Sequence, residues 1–437
     1  MMSPRSQAEQ LSFFEEADQA AKPLLTDTSS TFQDNLALPI HRWFRYSAGF
    51  SAAWVRQVIE QEKVRGCKQV LDPFAGSGTV PLEAELAAVR GLGVEAHPFV
   101  ARIARAKLEW RSPVSDFKEF ALRVLEHASV HRVEEGKYPK LMEQCFPRGT
   151  LLRLYSLRTA LSELADSSPA AELSWLMLVS ILRQCSPVGT AQWQYVLPSK
   201  KKVKVVDPFR AFEEKMLQMA QDMTVRQSLP GGPKAKIFHE DARKCSSVPF
   251  GWAQLVITSP PYANNFDYAD ATRLEMTFIG EINSWGDLQN SVRKYLVRSC
   301  SQHVAPISGQ TKEIIEDPVL LPIRSELADV CARLEEEREH HGGKKTYHTM
   351  VAAYFSDMAR VWTALRRVTA GGGRVCFVVG DSAPYGIYVP VDRWFGDLAL
   401  AAGFRTYRFE KTRDRNVKWK NRKHRVPLHE GRLWVEG

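Results

Sequence analysis

Cysteine is scarce in this chain, and no two cysteines stand at metal-binding spacing. The seven cysteines are scattered singly, without a Cys-x-x-Cys pair. Such pairs are the usual signal of zinc ribbons and fingers, and clustered cysteines mark the disulfide frameworks of small secreted domains. We therefore predict no metal site and no disulfide framework, and we interpret the thiols as buried or incidental.

Long apolar runs are also missing. No run approaches the roughly 20 residues that a membrane-spanning helix requires. The first residues, Met-Met-Ser-Pro-Arg-Ser-Gln-Ala-Glu-Gln, lack the apolar core of a secretory signal. We therefore expect a cytoplasmic protein with no membrane partner.

What is present is an ordinary globular composition with a basic excess. The chain has 437 residues, 44% of them hydrophobic and 25% charged. This length suffices for a large core domain with an inserted unit. Lys and Arg number 59 against 50 Asp and Glu, giving a net charge of +9. A basic chain suits a polyanionic partner, although many unrelated proteins share this value.

The order of predicted elements indicates an α/β fold. A strand at 69–72, a glycine-rich turn, a helix at 81–89 and a strand at 91–95 form a β-α-β unit, which builds parallel sheets. Strand patterns resume at 236–241 and 254–259, after a long stretch with helical spacing of Leu, Ala, Arg and Glu. We divide the chain into an N-terminal arm (1–40), a first part of the α/β domain (41–109), a mostly helical insertion (110–235) and a second part (236–437) that includes an insertion (280–345) and a basic hairpin (411–428).

A glycine-rich turn follows the first predicted strand and reads Asp72-Pro-Phe-Ala-Gly-Ser-Gly-Thr79. Gly76 and Gly78 let the backbone turn sharply and approach a ligand, and the helix that follows offers free N–H groups. Glu95 ends the next strand, where its carboxylate can accept both ribose hydroxyls. The absence of a Gly-Lys-Ser/Thr ending disfavours ATP phosphates, and Gly-x-Gly-Thr differs from the GxGxxG of dehydrogenases.

A second motif, Ser259-Pro-Pro-Tyr262, ends an apolar strand. Its two prolines fix the backbone and remove two N–H donors, so the carbonyls of Ser259 and Pro260 can act as acceptors. The Ser259 hydroxyl adds a further acceptor, and the Tyr262 ring offers a stacking face. Such a cluster suits an –NH2 group on a planar base. Accepting its two hydrogens exposes a lone pair that is otherwise conjugated into the ring, so positioning and electrostatics would carry the rate.

With these two motifs in this order, the chain resembles the amino-group DNA methyltransferases. The Thr-Ser-Pro-Pro-Tyr262 form is typical of the cytosine-N4 enzymes, whereas Asp- or Asn-Pro-Pro-Tyr/Phe is typical of the adenine-N6 enzymes. The resemblance implies a seven-stranded Rossmann-like sheet, with S-adenosyl-L-methionine bound over the strand ends. It also implies a base-flipping mechanism in which the target cytosine stacks on Tyr262 and presents N4 to Ser259 and the Pro260 carbonyl.

The same resemblance implies a set of site residues. Segment 41–51 is similar to the part that covers the methionine end of the cofactor, and Asp241 matches the acidic residue near the adenine amino group. The catalytic residues implied are Ser259, Pro260, Pro261 and Tyr262. The cofactor-binding residues implied are Phe50, Ser51, Asp72, Phe74, Ala75, Gly76, Gly78, Thr79, Glu95, Asp241 and Ala242.

A basic tail near the end of the chain is a third feature. Segment 411–425 carries eight Lys and Arg residues around Trp419, and such a segment can track phosphates and stack on a base. A solvated hairpin between two strands is the alternative. The DNA-binding residues predicted here are Lys411, Arg413, Arg415, Lys418, Trp419, Lys420, Arg422 and Lys423.

The function predicted is site-specific methylation of cytosine N4 in double-stranded DNA, as part of restriction-modification or phage defence, with a cognate restriction endonuclease as a further partner. Adenine-N6 methylation of DNA and methylation of an RNA base amino group remain alternatives, as does a catalytically silent nucleic-acid-binding module. Cytosine-C5 methylation is disfavoured because the chain has no Pro-Cys pair. The insertion at 110–235 is the candidate target-recognition region, with 280–345 and the basic tail as rivals.

Overall fold

A computed structural model describes residues 32–46, 49–131, 136–191, 194–202, 204–343, 345–415 and 426–437. In this part of the chain, no helix combines the length and apolar character needed to cross a membrane.

Fourteen α-helices occur among the described residues. In chain order they are α1 (Ala52–Val64), α2 (Thr79–Leu86), α3 (Pro98–Lys107), α4 (Val114–Val130), α5 (Lys140–Cys145), α6 (Arg148–Leu164), α7 (Pro169–Cys185), α8 (Pro208–Gln227), α9 (Arg273–Ile279), α10 (Leu288–Ser291), α11 (Thr311–Ile315), α12 (Arg324–His340), α13 (Tyr347–Val368) and α14 (Val391–Ala401). Short 3-10 helices lie at Phe32–Leu36, His41–Trp43, Leu108–Arg111, Asp270–Thr272, Arg293–Tyr295, Ala305–Ile307, Pro318–Ile323 and Pro384–Gly386.

Among the described residues, nine strands form two sheets. In chain order they are β1 (Gln69–Asp72), β2 (Arg90–Glu95), β3 (Val188–Thr190), β4 (Val196–Lys201), β5 (Lys236–His239), β6 (Ala253–Thr258), β7 (Thr369–Gly380), β8 (Thr406–Arg415) and β9 (Leu428–Glu436). Strands β3 and β4 make a separate antiparallel hairpin. The other seven form one sheet in the order β5-β2-β1-β6-β7-β9-β8.

The large sheet confirms the predicted seven-stranded α/β fold. Strands β5, β2, β1, β6 and β7 pair in parallel, and β9 pairs antiparallel with both β7 and β8. Strands β8 and β9 therefore close the sheet as an antiparallel pair. The chain order reverses between β1 and β6, which is the switch point where open α/β sheets bind ligands beyond the carboxyl ends of their strands.

Local sequence explains the helices that flank this switch point. Helix α1 begins after its N-cap residue Ser51, whose hydroxyl oxygen accepts from the Trp54 N–H at 3.3 Å. Helix α2 begins at Thr79, directly after Gly78 in the left-handed conformation (φ 88°). It therefore spans Thr79–Leu86, whereas the sequence predicted 81–89. The prediction placed the start of the helix at the proline at position 81, but the glycine turn ends two residues earlier.

The helices of the 114–227 stretch share a hydrophobic core with the sheet layer. Phe99 and Ile103 of α3 belong to the same buried cluster as Phe117 of α4, Leu157 of α6 and Leu176 of α7. A second buried cluster packs α13 and α14 against the other side of the sheet. The helices between β2 and β5 are thus joined to the α3 side of the sheet by continuous apolar packing.

Candidate active site

The carboxyl ends of β1 and β6 meet directly at the switch point. The Thr258 hydroxyl donates to Asp72 Oδ1 at 2.6 Å, and the Phe74 N–H donates to the same oxygen at 3.0 Å. Asp72 is completely buried, and its Oδ2 atom has no hydrogen-bond partner among the described residues. Burial raises the pKa of this carboxyl to about 7. The Asp72 side chain therefore connects the glycine turn to the strand that carries Ser259.

The glycine turn wraps around the second carboxylate of the site. Glu95 Oε2 accepts from the Gly76 N–H at 2.7 Å, and Oε1 accepts from the His97 N–H at 2.8 Å. Each oxygen retains further acceptor capacity for a ligand hydroxyl. Burial raises the pKa of Glu95 to about 7 as well, with these backbone hydrogen bonds acting in the opposite direction. Gly76 has a φ of 52°, and a Cβ there would lie 3.2 Å from Tyr46 Cε1.

A cleft that is partly open to solvent extends from this turn across the strand ends. The residues lining it come from seven separate segments: Tyr46, Pro73, Phe74, Gly76, Glu95, Ala96, His97, Asp241, Ala242, Ser259, Pro261, Tyr268, Tyr295, Leu296 and Val297. The cleft thus brings together the glycine turn, the ends of β2 and β5, and the proline motif.

Several predicted cofactor residues support the cleft without lining it. Ala75 is buried and its N–H donates to the Val94 carbonyl at 2.9 Å, while Thr79 is buried in the first turn of α2. Phe50 packs edge to face against Trp54, and Ser51 caps α1. From segment 41–51, the described residue that reaches the cleft is Tyr46.

Asp241 reaches the cleft, but its carboxylate also has an intramolecular partner. Arg243 Nε lies 2.9 Å from both Asp241 oxygens, and Nη1 of the same guanidinium donates to Asp357 Oδ1 at 3.0 Å. Arg298 pairs with Asp357 as well, at 2.6 Å. These three ion pairs fix the position of Asp241 after the end of β5, beside Ala242.

The proline motif sits at the other end of the cleft. The Ser259 hydroxyl donates to the Val378 carbonyl on β7 at 3.2 Å, which leaves its lone pairs as acceptors. The Pro261 carbonyl accepts from the Tyr354 hydroxyl at 2.8 Å, whereas the Pro260 carbonyl has no donor among the described residues. Burial raises the pKa of Tyr262 above its usual range, and a hydrogen bond with Ser259 acts in the opposite direction. The motif therefore offers acceptors without a charged group.

The cleft includes residues that the sequence did not suggest. His97 is buried at the end of β2 with its Nε2 2.9 Å from Thr272 Oγ1, and burial lowers its pKa to about 3, so the ring is neutral. Tyr295, Leu296 and Val297 form one wall. They belong to a segment without helical or strand periodicity, so no sequence signal could have identified them.

The basic tail is divided between described and undescribed residues. Lys418, Trp419, Lys420, Arg422 and Lys423 lie outside the described residues. Lys411 pairs with Asp414 at 2.6 Å, and Arg413 pairs with Glu430 at 2.9 Å. Arg415 has a different environment, with its guanidinium carbon 5.3 Å from the centre of the Tyr262 ring. Of the three described cations, Arg415 is therefore the one at the proline motif.

Comparison with known proteins gives the chain a set of relatives. No protein-family profile matches it. It is 24% identical over 418 residues to the Type II methyltransferase M.BsoBI of Geobacillus stearothermophilus, covering 86% of this chain and 80% of that protein. It is 25% identical over 413 residues to the Type II methyltransferase M.AvaI of Nostoc sp., covering 86% of this chain and 81% of that protein. The M.AvaI protein of Anabaena variabilis matches to the same extent. Over most of its length, then, this chain is similar to Type II methyltransferases, and its seven-stranded sheet is the Rossmann-like α/β fold of a methyltransferase.

Proposed function

We propose that this protein is a DNA methyltransferase that transfers a methyl group from S-adenosylmethionine to the N4 amino group of a flipped-out cytosine. The observation that carries the proposal is the position of Ser259. Its hydroxyl lies in the same cleft as the glycine turn, and the hydroxyl hydrogen is engaged by the Val378 carbonyl. The Ser259 oxygen therefore faces an incoming group as an acceptor.

The cleft residues fit the proposed cofactor. Glu95 is an acidic acceptor at the strand end where a ribose would bind, and Phe74, Leu296 and Val297 offer apolar surface for an adenine ring. A side chain at Gly76 would fill the space between the turn and Tyr46. When bound, S-adenosylmethionine supplies an electrophilic methyl group on a sulfonium. We assign its site to Asp72, Phe74, Gly76, Glu95, Asp241 and Ala242.

The proline motif fits an exocyclic amino group. Ser259 and the Pro260 carbonyl offer two neutral acceptors for its two hydrogens, and the ring of Tyr262 offers a face on which a planar base stacks. Holding the two hydrogens turns the nitrogen lone pair out of conjugation with the base. The uncharged Ser259 in the first position of the motif supports cytosine N4 over adenine N6 as the target.

Double-stranded DNA is the proposed substrate for two reasons. The chain has a net charge of +9, and its relatives are Type II methyltransferases. A base inside a duplex is inaccessible to such a cleft, so the target base must leave the stack. We further propose a role in restriction-modification, beside a cognate endonuclease, with the 110–235 region contributing to target recognition.

The test is transfer of a labelled methyl group. The purified protein is incubated with methyl-labelled S-adenosylmethionine and mixed-sequence plasmid DNA, with an equal mass of total RNA in a parallel reaction. The nucleic acid is then digested to nucleosides and analysed by mass spectrometry. We expect label on N4-methylcytosine from the DNA.

Other outcomes separate the parts of this proposal. Label on N6-methyladenine would keep the enzyme class and contradict the cytosine assignment. Label only in the RNA reaction would contradict the DNA substrate. A protein that binds S-adenosylmethionine but labels neither nucleic acid would contradict the enzyme assignment and favour a binding module.

A further inference from the structure

Arg415 lies where the ends of three strands meet. It is the last residue of β8, which runs in the same direction as β7 because both pair antiparallel with β9. Its side chain therefore emerges at the same edge of the sheet as the carboxyl ends of β6 and β7. This edge carries the proline motif and residues 380–382.

The structure holds the Arg415 guanidinium in one place. Its Nη1 donates to the Asp381 carbonyl at 2.7 Å. Asp381 is itself fixed, because its Oδ2 accepts from His429 Nδ1 at 2.7 Å and from the Tyr388 hydroxyl at 3.1 Å. Gly380 leaves the room that the arginine occupies, since a Cβ at that position would lie 2.6 Å from Nη1.

The charge on Arg415 is only weakly balanced. Its Nε lies 4.0 Å from Glu430 Oε2, whereas Arg413 lies 2.9 Å from the Oε1 atom of the same carboxylate. Of the five N–H donors on the Arg415 guanidinium, one has a hydrogen-bond acceptor among the described residues. A planar cation with donors to spare, next to an aromatic ring, suits an oxygen acceptor on a stacked base or its phosphate.

We propose that Arg415 is a wall of the target-nucleotide pocket. Its guanidinium binds an acceptor oxygen of the extrahelical nucleotide, on the base or on its phosphate, and supports the Tyr262 ring on which the base stacks. This inference rests on the proposed methyltransferase function. It assigns to Arg415 a role different from that of Lys411, which is paired with Asp414 on the surface of the hairpin.

The test compares two arginines on one strand. Plasmid methylated by the wild-type protein is first sequenced to identify the modified site, and a duplex carrying that site serves as substrate. We expect R415A to lower kcat by about 10-fold or more, because a charge-assisted contact to the reacting nucleotide is lost. R408A is the matched control on the exposed face of β8, and we expect it to leave kcat unchanged. R415K should recover part of the loss, since it keeps the charge without the planar fork.

G380A tests position without removing charge. Its Cβ displaces the Arg415 guanidinium, so kcat should fall in the direction of R415A while the affinity for S-adenosylmethionine and the melting temperature stay near the wild-type values. For K411A we expect instead a higher KM and a salt dependence of DNA binding that is shallower by about one unit.

A duplex with an abasic site at the target position identifies the acceptor. If R415A weakens binding of the intact duplex but not of the abasic one, the contact is to the base, and if it weakens binding of both, the contact is to the phosphate. Either result supports the inference. An R415A variant that behaves like K411A, with kcat intact, would overturn it while leaving the proposed function standing. A wild-type protein that methylates no DNA would overturn both.

Discussion

The hydroxyl of Thr258 donates to Asp72 Oδ1 at 2.6 Å, which joins the last residues of two neighbouring parallel strands at the switch point of the sheet. One of these strands leads into the glycine turn and the other into the proline motif. This buried side-chain hydrogen bond therefore links the two halves of the cleft, beyond the backbone pairing of the two strands.

Thr258→Val removes this bond while keeping the side-chain volume nearly constant. We expect the free energy of unfolding to fall by about 1–3 kcal/mol, because the buried carboxylate loses a donor. Urea denaturation followed by circular dichroism measures the change. Thr406→Val, on the exposed end of β8, is the matched control and should change the midpoint little. Equal effects from the two substitutions would show that the contact with Asp72 does not stabilise the fold.

The raised pKa of Asp72 leads us to expect that the free energy of unfolding depends on pH. Its pKa is about 7 in the folded protein against an ordinary value of 3.8, because burial disfavours the charged form. The folded state therefore binds the proton more tightly than the unfolded chain does. The stabilising contribution is complete below the ordinary pKa and is lost as pH rises towards 7.

Asp72→Asn removes this titration. Compared with the wild type, the variant should gain stability progressively between about pH 4 and pH 7, as followed by denaturation midpoints at one-unit intervals. Asp116→Asn, on the exposed surface of α4, is the control and should show a difference that does not grow in this way. A constant difference for Asp72→Asn across the range would contradict the raised pKa.

Sequence predicted the strand ends better than it predicted the walls of the site. The sequence predicts Gly76, Glu95 and Ser259 as residues of the site. Glycine and proline determine the backbone conformation locally, and a carboxylate at the end of a strand carries its charge whatever the surrounding fold. The wall at 295–297 could not be predicted, since its position depends on packing between distant segments. The hairpin formed by β3 and β4 was likewise missed, because its short strands lie within a stretch dominated by helical spacing.

The position of Arg415 could not be predicted from the sequence either. The sequence presents it as one of eight Lys and Arg residues in a basic tail, and nothing in the local pattern distinguishes it from Lys411. Its contact with Tyr262 arises from the pairing of β8 with β9, which brings residue 415 level with the end of β7. Composition therefore predicted the charge of this segment, and topology determined which cation reaches the pocket.

Gly76→Val should abolish binding of S-adenosylmethionine. Valine is disfavoured at a φ of 52°, and its Cβ would lie 3.2 Å from Tyr46 Cε1, inside the space between the turn and the cleft wall. Isothermal titration calorimetry measures the affinity. Gly371→Ala is the control, since a Cβ there has no neighbour within 4 Å. Retained affinity in Gly76→Val would contradict the assignment of the cleft to the cofactor.

Ser259→Ala should separate catalysis from cofactor binding. Loss of the hydroxyl removes one acceptor for the amino group, and we expect turnover to fall by about 100-fold or more with little change in affinity for S-adenosylmethionine. Single-turnover methylation and calorimetry on the same preparation provide the two values. Ser246→Ala, at an exposed loop position, controls for the substitution itself. A loss of cofactor affinity equal to the loss of turnover would assign Ser259 to the cofactor instead.

The hydroxyl of Tyr354 gives a prediction about how the proline motif is held. This tyrosine is buried in α13 and donates to the Pro261 carbonyl at 2.8 Å, so it fixes the peptide between the acceptors and the stacking ring. Tyr354→Phe keeps the ring and its packing but removes the donor, leaving a carbonyl without its partner. We expect kcat to fall by about 10-fold, because small displacements of positioning groups carry large rate costs. We also expect the free energy of unfolding to fall by about 1 kcal/mol.

Tyr407→Phe is the matched control. The Tyr407 hydroxyl contacts Asp397 at 3.3 Å instead of the proline motif. This variant should therefore lose similar stability and keep the wild-type kcat. The two variants lose the same chemical group. A difference confined to kcat can therefore only come from the position of the proline motif. Equal kcat values would show that the motif holds its geometry without help from α13.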